Sequence, residues 1–245
     1  MSGSKITPPD DEPVRQKASH RKGRTAEVRR SPRVPTQERS RRRYQAIIEA
    51  TEHLLQTANI EDISLYDIGK QSKIAPASVH YLFNTVTAIH IELNKIYNER
   101  LTAIVLEQSK RQAAKKNPSW QDWVKAVMAD ARDVLNNNRA MSEIMLGPTL
   151  HRQSRINNLM HNKTFGQASL EVMREAYVMP EIPNLERYFM FSTELGEALW
   201  SGSYSARGEI DDETFAESVR ATLAYLRCFL PETLVLKERQ AESAA

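Results

Sequence analysis

Residues 72–83, SKIAPASVHYLF, set Pro76 and three small residues (Ala75, Ala77, Ser78) directly ahead of His80 and Tyr81. Proline is well tolerated at the first position of a helix, where its missing N–H would have no partner. The stretch therefore predicts a helix start with Ala75 at the cap. Ile74, Val79 and Phe83 turn one side of it to a core, which leaves Pro76, Ala77, Ser78, His80 and Tyr81 outward. Just upstream, Ser64 and Asp67 have the spacing of a reciprocal cap. They open a short helix with Leu65 and Ile68 inward, ending near Ser72. Two short helices joined by a turn of three or four residues make a helix-turn-helix. Small residues at the second start let the backbone approach DNA, and free N–H groups there meet a phosphate. Ser78 reaches a base edge or phosphate, Ala77 touches a thymine methyl, and His80 and Tyr81 offer phosphate hydrogen bonds.

Before this motif, Thr36 caps a helix running to about Ala58, with Tyr44, Ile47, Ile48, Leu54 and Leu55 along one side. Its first turns hold Arg39, Arg41, Arg42 and Arg43, which oppose the helix dipole. An external anion would relieve that conflict; a solvated basic run is the plainer reading. "NIEDIS" is expected to be a loop. Residues 1–35 hold five prolines and few large apolar side chains, so they are expected to be a disordered basic arm. They read as a DNA-tracking arm, a solubilising tail or sequence ahead of the true start.

Composition permits this reading. Of 245 residues, 40% are hydrophobic, only eight are glycine, and six of the eleven prolines lie scattered after residue 75. Few breakers between long mixed runs argue for an all-α chain. Residues 1–43 carry 13 Lys and Arg against 5 Asp and Glu, residues 44–116 carry 8 against 8, and residues 117–245 carry 13 against 18. A basic front with an acidic back points to a polyanion partner at the N-terminal end. No apolar run is long enough to span a membrane, and no secretory signal opens the chain. The single cysteine, Cys228, forms no internal disulfide and reads as a buried thiol in a cytoplasmic protein.

Downstream, Asn84 or Thr85 caps a helix running to about Ala114. Asn117 and Pro118 open another, with Trp120, Val124, Val127 and Leu135 along it to about Asn138. A short helix stops at "GP", 147–148. Residues 150–178 form one long helix or two, with Ile156, Met160, Leu170, Met173 and Tyr177 as the apolar set. "MPEIP" at 179–183 is a break, followed by helices over 184–206 and 211–230 and a flexible tail from 233 to 245.

The stretches RRRYQAIIEATEHLL, ISLYDIGKQSKI and APASVHYLFNTVTAIHIEL resemble the DNA-binding domain of TetR-family bacterial transcription regulators. Ile47 with Ile48, Ser64, Ile68 with Gly69, and His80 with Phe83 carry the likeness, over about a quarter of the chain. Departures stand at Lys73 (Gly in the family), Ala75 (Ser or Thr), His80 (Tyr) and Val86 (Lys). A non-Gly residue at a positive-φ turn position costs about 1 kcal/mol, so a wider turn is expected at Lys73.

The resemblance implies an N-terminal three-helix helix-turn-helix domain, residues 36–93. It implies a larger helical ligand-binding and dimerisation domain over 94–232. DNA-contact candidates are Arg39, Arg41, Arg42, Arg43, Ser64, Pro76, Ala77, Ser78, His80, Tyr81 and Thr85. The last two long helices would pair across a twofold axis through Leu195, Leu199, Phe215, Val219, Leu223 and Leu226. A homodimer would set recognition helices about 34–36 Å apart on a palindromic double-stranded DNA operator.

Seven of the eight methionines lie between 128 and 190. Met128, Met145 and Met160 with Trp120, Trp123, Phe165, Tyr177 and Phe189 are candidates for an adaptable pocket holding a small-molecule effector; each alone is more simply a core residue. His151, His161 and Glu194 are possible polar contacts there, though the surface is the simpler place for each. No cofactor and no metal ion is expected, nor is an enzyme: there is no phosphate loop or nucleophile elbow. The expected function is a sequence-specific DNA-binding regulator, a repressor released by an apolar or amphipathic ligand. The alternative is a helical dimer of the same fold acting as a protein-interaction adaptor without operator binding.

Overall fold

The computed structural model describes residues 38–113, 119–148 and 151–237. Residues 1–37 and 238–245, with the expected arm, the Thr36 cap and the last part of the tail, lie outside them, as do Asn117 and Pro118. Among the described residues the chain is all-α: α1 Glu38–Leu55, α2 Leu65–Ser72, α3 Pro76–Leu82, α4 Val86–Ala113, α5 Trp120–Asn136, α6 Arg139–Met145, α7 Arg152–Ala176, α8 Leu185–Arg207 and α9 Asp212–Leu226. One isolated antiparallel bridge joins Tyr177 to Leu236.

Local chemistry accounts for most boundaries. α1 ends at Leu55, three residues short of the expected end, because the backbone tightens into a turn there. "NIEDIS" is not all loop: Ile60–Asp62 form a 3-10 turn. The α5 cap is Ser119, whose Oγ accepts from the Asp122 N–H at 3.0 Å, two residues past the expected Asn117. Asn138 caps α6 and Asp211 caps α9 in the same way. Residues 152–176 form one helix rather than two. Gly166 lets it lie against α8, since a Cβ there would stand 2.7 Å from the Met190 nitrogen.

Two buried clusters hold the body together. The first joins Ile47, Ile48, Ile68, Val79 and Phe83 of α1–α3 to Leu93 and Tyr97 of α4, Ile144 of α6 and Trp200 and Tyr204 of α8. It therefore continues well past residue 94. The second gathers Trp120, Trp123, Leu170, Met173, Tyr177, Phe189, Leu226 and Leu230. The tail was expected to be flexible from 233, but its first part is pinned. Leu234 is buried, the Val178 N–H donates to the Val235 carbonyl at 2.8 Å, and the Lys237 N–H donates to the Ala176 carbonyl at 2.9 Å. Cys228 was expected to be buried and is exposed, because α9 has ended two residues earlier and the thiol leaves the packed face.

Candidate nucleic-acid interface and internal cavity

The helix-turn-helix is built from reciprocal caps. Ser64 accepts from the Asp67 N–H at 3.2 Å, and Asp67 accepts from the Ser64 N–H at 3.0 Å. The Ser64 hydroxyl also donates to the Asp67 carboxylate, which holds that carboxyl below its usual range. Lys73 then takes a left-handed conformation, φ 56° and ψ 31°, and its N–H closes onto the Gly69 and Lys70 carbonyls. The turn is accordingly not widened: a lysine occupies the position that glycine favours. Gly69 has its own reason, because a Cβ there would sit 3.2 Å from the Ile74 carbonyl oxygen.

Ala75 caps α3 without a side-chain bond, and Pro76 takes the first position. Val79, Leu82 and Phe83 are buried, and Phe83 stacks on Tyr44 of α1 with ring centres 5.2 Å apart. Pro76, Ala77 and His80 are exposed, Ser78 is half-buried, and Tyr81 is 70% exposed. Arg39, Arg41 and Arg42 are exposed on α1, with Arg42 paired to Glu38, while Arg43 is half-buried. Thr85 spends its hydroxyl on the α4 start, accepting from the Ala88 N–H at 3.1 Å. Sequence reasoning missed Tyr66 on α2, which is 69% exposed. A large aromatic left bare beside the inward Leu65 and Ile68 was the signal available.

A cavity of about 120 Å³ lies where the two buried clusters meet. Trp123, Met128, Met145, Phe165 and Phe189 line it as expected. Trp120, Met160 and Tyr177 do not. The Trp120 indole is buried elsewhere and donates to the Pro231 carbonyl at 2.9 Å, Tyr177 packs at the bridge to the tail, and Met160 points out to solvent. Leu226, expected on a subunit interface, is part of the cavity wall.

One end of this cavity is polar, which the apolar pattern did not reveal. Asn98, Thr102, Asn158, His161, Asn162, Ser169 and Glu197 contribute to it. His161 was expected at the surface; it faces Thr102 Oγ1 at 3.1 Å, and burial pushes its pKa down to about 4. Burial also pushes the Glu197 carboxyl up. His151 instead caps α7, its Nδ1 accepting from the Gln153 N–H at 3.2 Å. Glu194 accepts from Arg155 at 2.7 Å.

The short α6 touches both regions. Met145 lines the cavity, while Glu143, 4% exposed, accepts from the Ile60 N–H at 2.9 Å and from the Tyr204 hydroxyl at 2.7 Å. Arg139 donates to the Leu55 and Ala58 carbonyls, each at 2.6 Å. Of the other expected interface residues, Leu195 and Leu199 lie 39% and 38% exposed on α8, near Gly202, where a Cβ would meet nothing within 4 Å. Phe215 and Leu223 are half-buried, with the Arg132 guanidinium over the Phe215 ring at 4.9 Å, and Val219 is buried.

No protein-family model and no curated protein sequence matches this chain. Solved structures do. A TetR-family transcriptional regulator from Streptomyces coelicolor superposes with a TM-score of 0.59 at 16% identity, over 77% of this chain and 98% of that one. SmeT, the repressor of the Stenotrophomonas maltophilia multidrug efflux pump SmeDEF, gives 0.50 at 14%, over 76% and 89%. The fatty acid degradation regulator FadR from Bacillus halodurans gives 0.54 at 12%, over 75% and 94%.

Proposed function

We propose that this chain, which has the fold of TetR-family transcriptional regulators, is a dimeric DNA-binding regulator. In this reading it is a repressor released when a small apolar or amphipathic molecule fills the cavity. Residues 36–93 form the DNA-binding part and residues 94–232 the ligand-binding and dimerisation part. The observation that carries the reading is α3: its Val79 and Leu82, with Phe83 at its C-cap, are buried, and Pro76, Ala77, His80 and Tyr81 are bare. A helix held by one side with small residues and an exposed tyrosine on the other suits a DNA groove. The exposed Leu195 and Leu199 support pairing of two copies, which would present two such helices to a palindromic operator.

α6 offers the route between the two functions. It contributes Met145 to the cavity and holds the α1–α2 connection through Glu143 and Arg139. A ligand that moves α6 would move the helix-turn-helix with it, and a coupling of about 1–3 kcal/mol is enough for regulation.

The test is to select bound sites from a random duplex pool and titrate salt on the winner. Affinity should fall by about 0.9 log unit per log unit of salt for each phosphate neutralised. Tyr81→Ala should weaken binding to every duplex by about tenfold, the loss of one hydrogen bond to a charged oxygen. Selection of no duplex, even in dilute buffer, would favour the adaptor reading instead.

A further inference from the structure

The polar end of the cavity is arranged against the interest of simple packing. The first half of α7 turns Ser154, Asn158 and Asn162 inward and leaves Ile156, Leu159 and Met160 exposed. Burying amides where leucines would fit is costly unless every group is satisfied. Here they are not all satisfied, and the pattern of the exception is informative.

As a carboxylate, paired with Arg155, Glu197 can only accept, so it dictates the orientation of each amide around it. Asn158 Nδ2 donates to Glu197 Oε1 at 3.0 Å. Its Oδ1 therefore faces α4, where it accepts from Asn94 Nδ2 at 2.9 Å and from Asn98 Nδ2 at 3.1 Å. Asn162 Nδ2 likewise goes to Glu197 Oε2 at 2.6 Å. The result is an orphan: Asn98 lines the cavity, is 4% exposed, and its Oδ1 has no donor. The amide donors of Asn94, Asn98, Asn158 and Asn162 are consumed by carboxylate and carbonyl oxygens, which leaves Asn98 Oδ1 for an occupant. The Ser169 hydroxyl, which also lines the cavity and has no partner among the described residues, can turn to accept as well.

Charge points the same way. One guanidinium, Arg155, bridges two carboxylates, Glu194 at 2.7 Å and Glu197 at 3.3 Å. His161, kept neutral by burial, adds no positive charge. A plain tie between α7 and α8 would need one carboxylate for the guanidinium and no unpaired acceptor on α4. The other walls are apolar and aromatic, with Trp123, Phe165 and Phe189, faces that also attract cations. The volume of about 120 Å³ fits one ring or a short chain.

We propose that the cavity takes a small organic amine as its ammonium ion, with its N–H donors on Asn98 Oδ1 and Glu197 and its apolar body against Trp123, Phe165 and Phe189. The proposal rests on the regulatory reading only in calling this occupant an effector.

Titration calorimetry on the full chain with three probes that share a phenylethyl body tests it: 2-phenylethylamine, 2-phenylethanol and 3-phenylpropanoate. The amine should bind about tenfold more tightly than the alcohol, and the carboxylate most weakly. Glu197→Gln should bring the amine to within about threefold of the alcohol, and Asn98→Leu should weaken the amine severalfold while keeping it ahead of the carboxylate. The proposal is overturned if the alcohol or carboxylate matches the amine on the unaltered chain, if none of the three binds at millimolar concentration, or if Glu197→Gln leaves the roughly tenfold lead of the amine over the alcohol undiminished. Should a variant not fold, the ranking on the unaltered chain decides. Duplex affinity is measured separately with the amine present. An amine that binds in the stated order yet leaves DNA affinity unchanged would defeat the regulatory reading and leave the amine site standing.

Discussion

Lys73 occupies a left-handed turn position at φ 56°, where a Cβ crowds the following carbonyl oxygen. Its backbone bonds to Gly69 and Lys70 compensate, so the turn keeps its geometry without glycine. Lys73→Gly should therefore raise stability in urea by roughly 0.5–1 kcal/mol, and Lys73→Val should lower it, because a β-branched side chain tolerates that conformation least. Equal midpoints for all three proteins would mean that the turn is open in solution.

At the scale of elements, α6 is a seven-residue helix with two duties, and its buried carboxylate is the joint between them. Tyr204→Phe removes the 2.7 Å hydroxyl donor to Glu143 and keeps the ring packing. A hydrogen bond to a charged acceptor contributes about 1.5–3 kcal/mol, so a loss in that range is expected on denaturation. The effect of the ligand on DNA affinity should shrink as well. A stability loss with the ligand effect intact would mean that the signal bypasses α6.

At the scale of the whole molecule, two measurements follow. Leu199→Glu together with Leu195→Glu should yield a monomer by light scattering and reduce operator affinity at least tenfold, since charges on a paired apolar face are desolvated without partners. A dimer that persists would move the interface off α8. The second concerns acid. His90 and His161 have an ordinary value of 6.5, and burial pushes both down to about 4 in the folded chain. The unfolded chain therefore takes up these protons first as pH falls. Stability is full above about 6.5 and is lost between there and about 4, by up to about 1.4 kcal/mol per pH unit for each histidine. His90→Phe should flatten part of that slope in chemical denaturation, and an unchanged slope would show that His90 does not contribute.

Where caps and helical periodicity act alone, the amino-acid sequence determined most outcomes, though the turn at Lys73 and the cap at Ser119 departed from the local expectation. The Ser64–Asp67 box, the Pro76 start and the inward Val79 and Phe83 follow from spacing alone, because caps and helical periodicity act within a few residues. The all-α character and most helix limits have the same origin. What only the tertiary structure decided involves partners far apart in the chain. Asn98 on α4, Asn158 on α7 and Glu197 on α8 meet at one end of a cavity, and no local pattern marks a polar residue that a distant carboxylate will orient. Trp120 and Trp123 are three residues apart on one helix, yet only Trp123 lines that cavity. Which side of a helix meets a void rather than a neighbour depends on how the other helices cross it, and that is set by the packing of the whole chain.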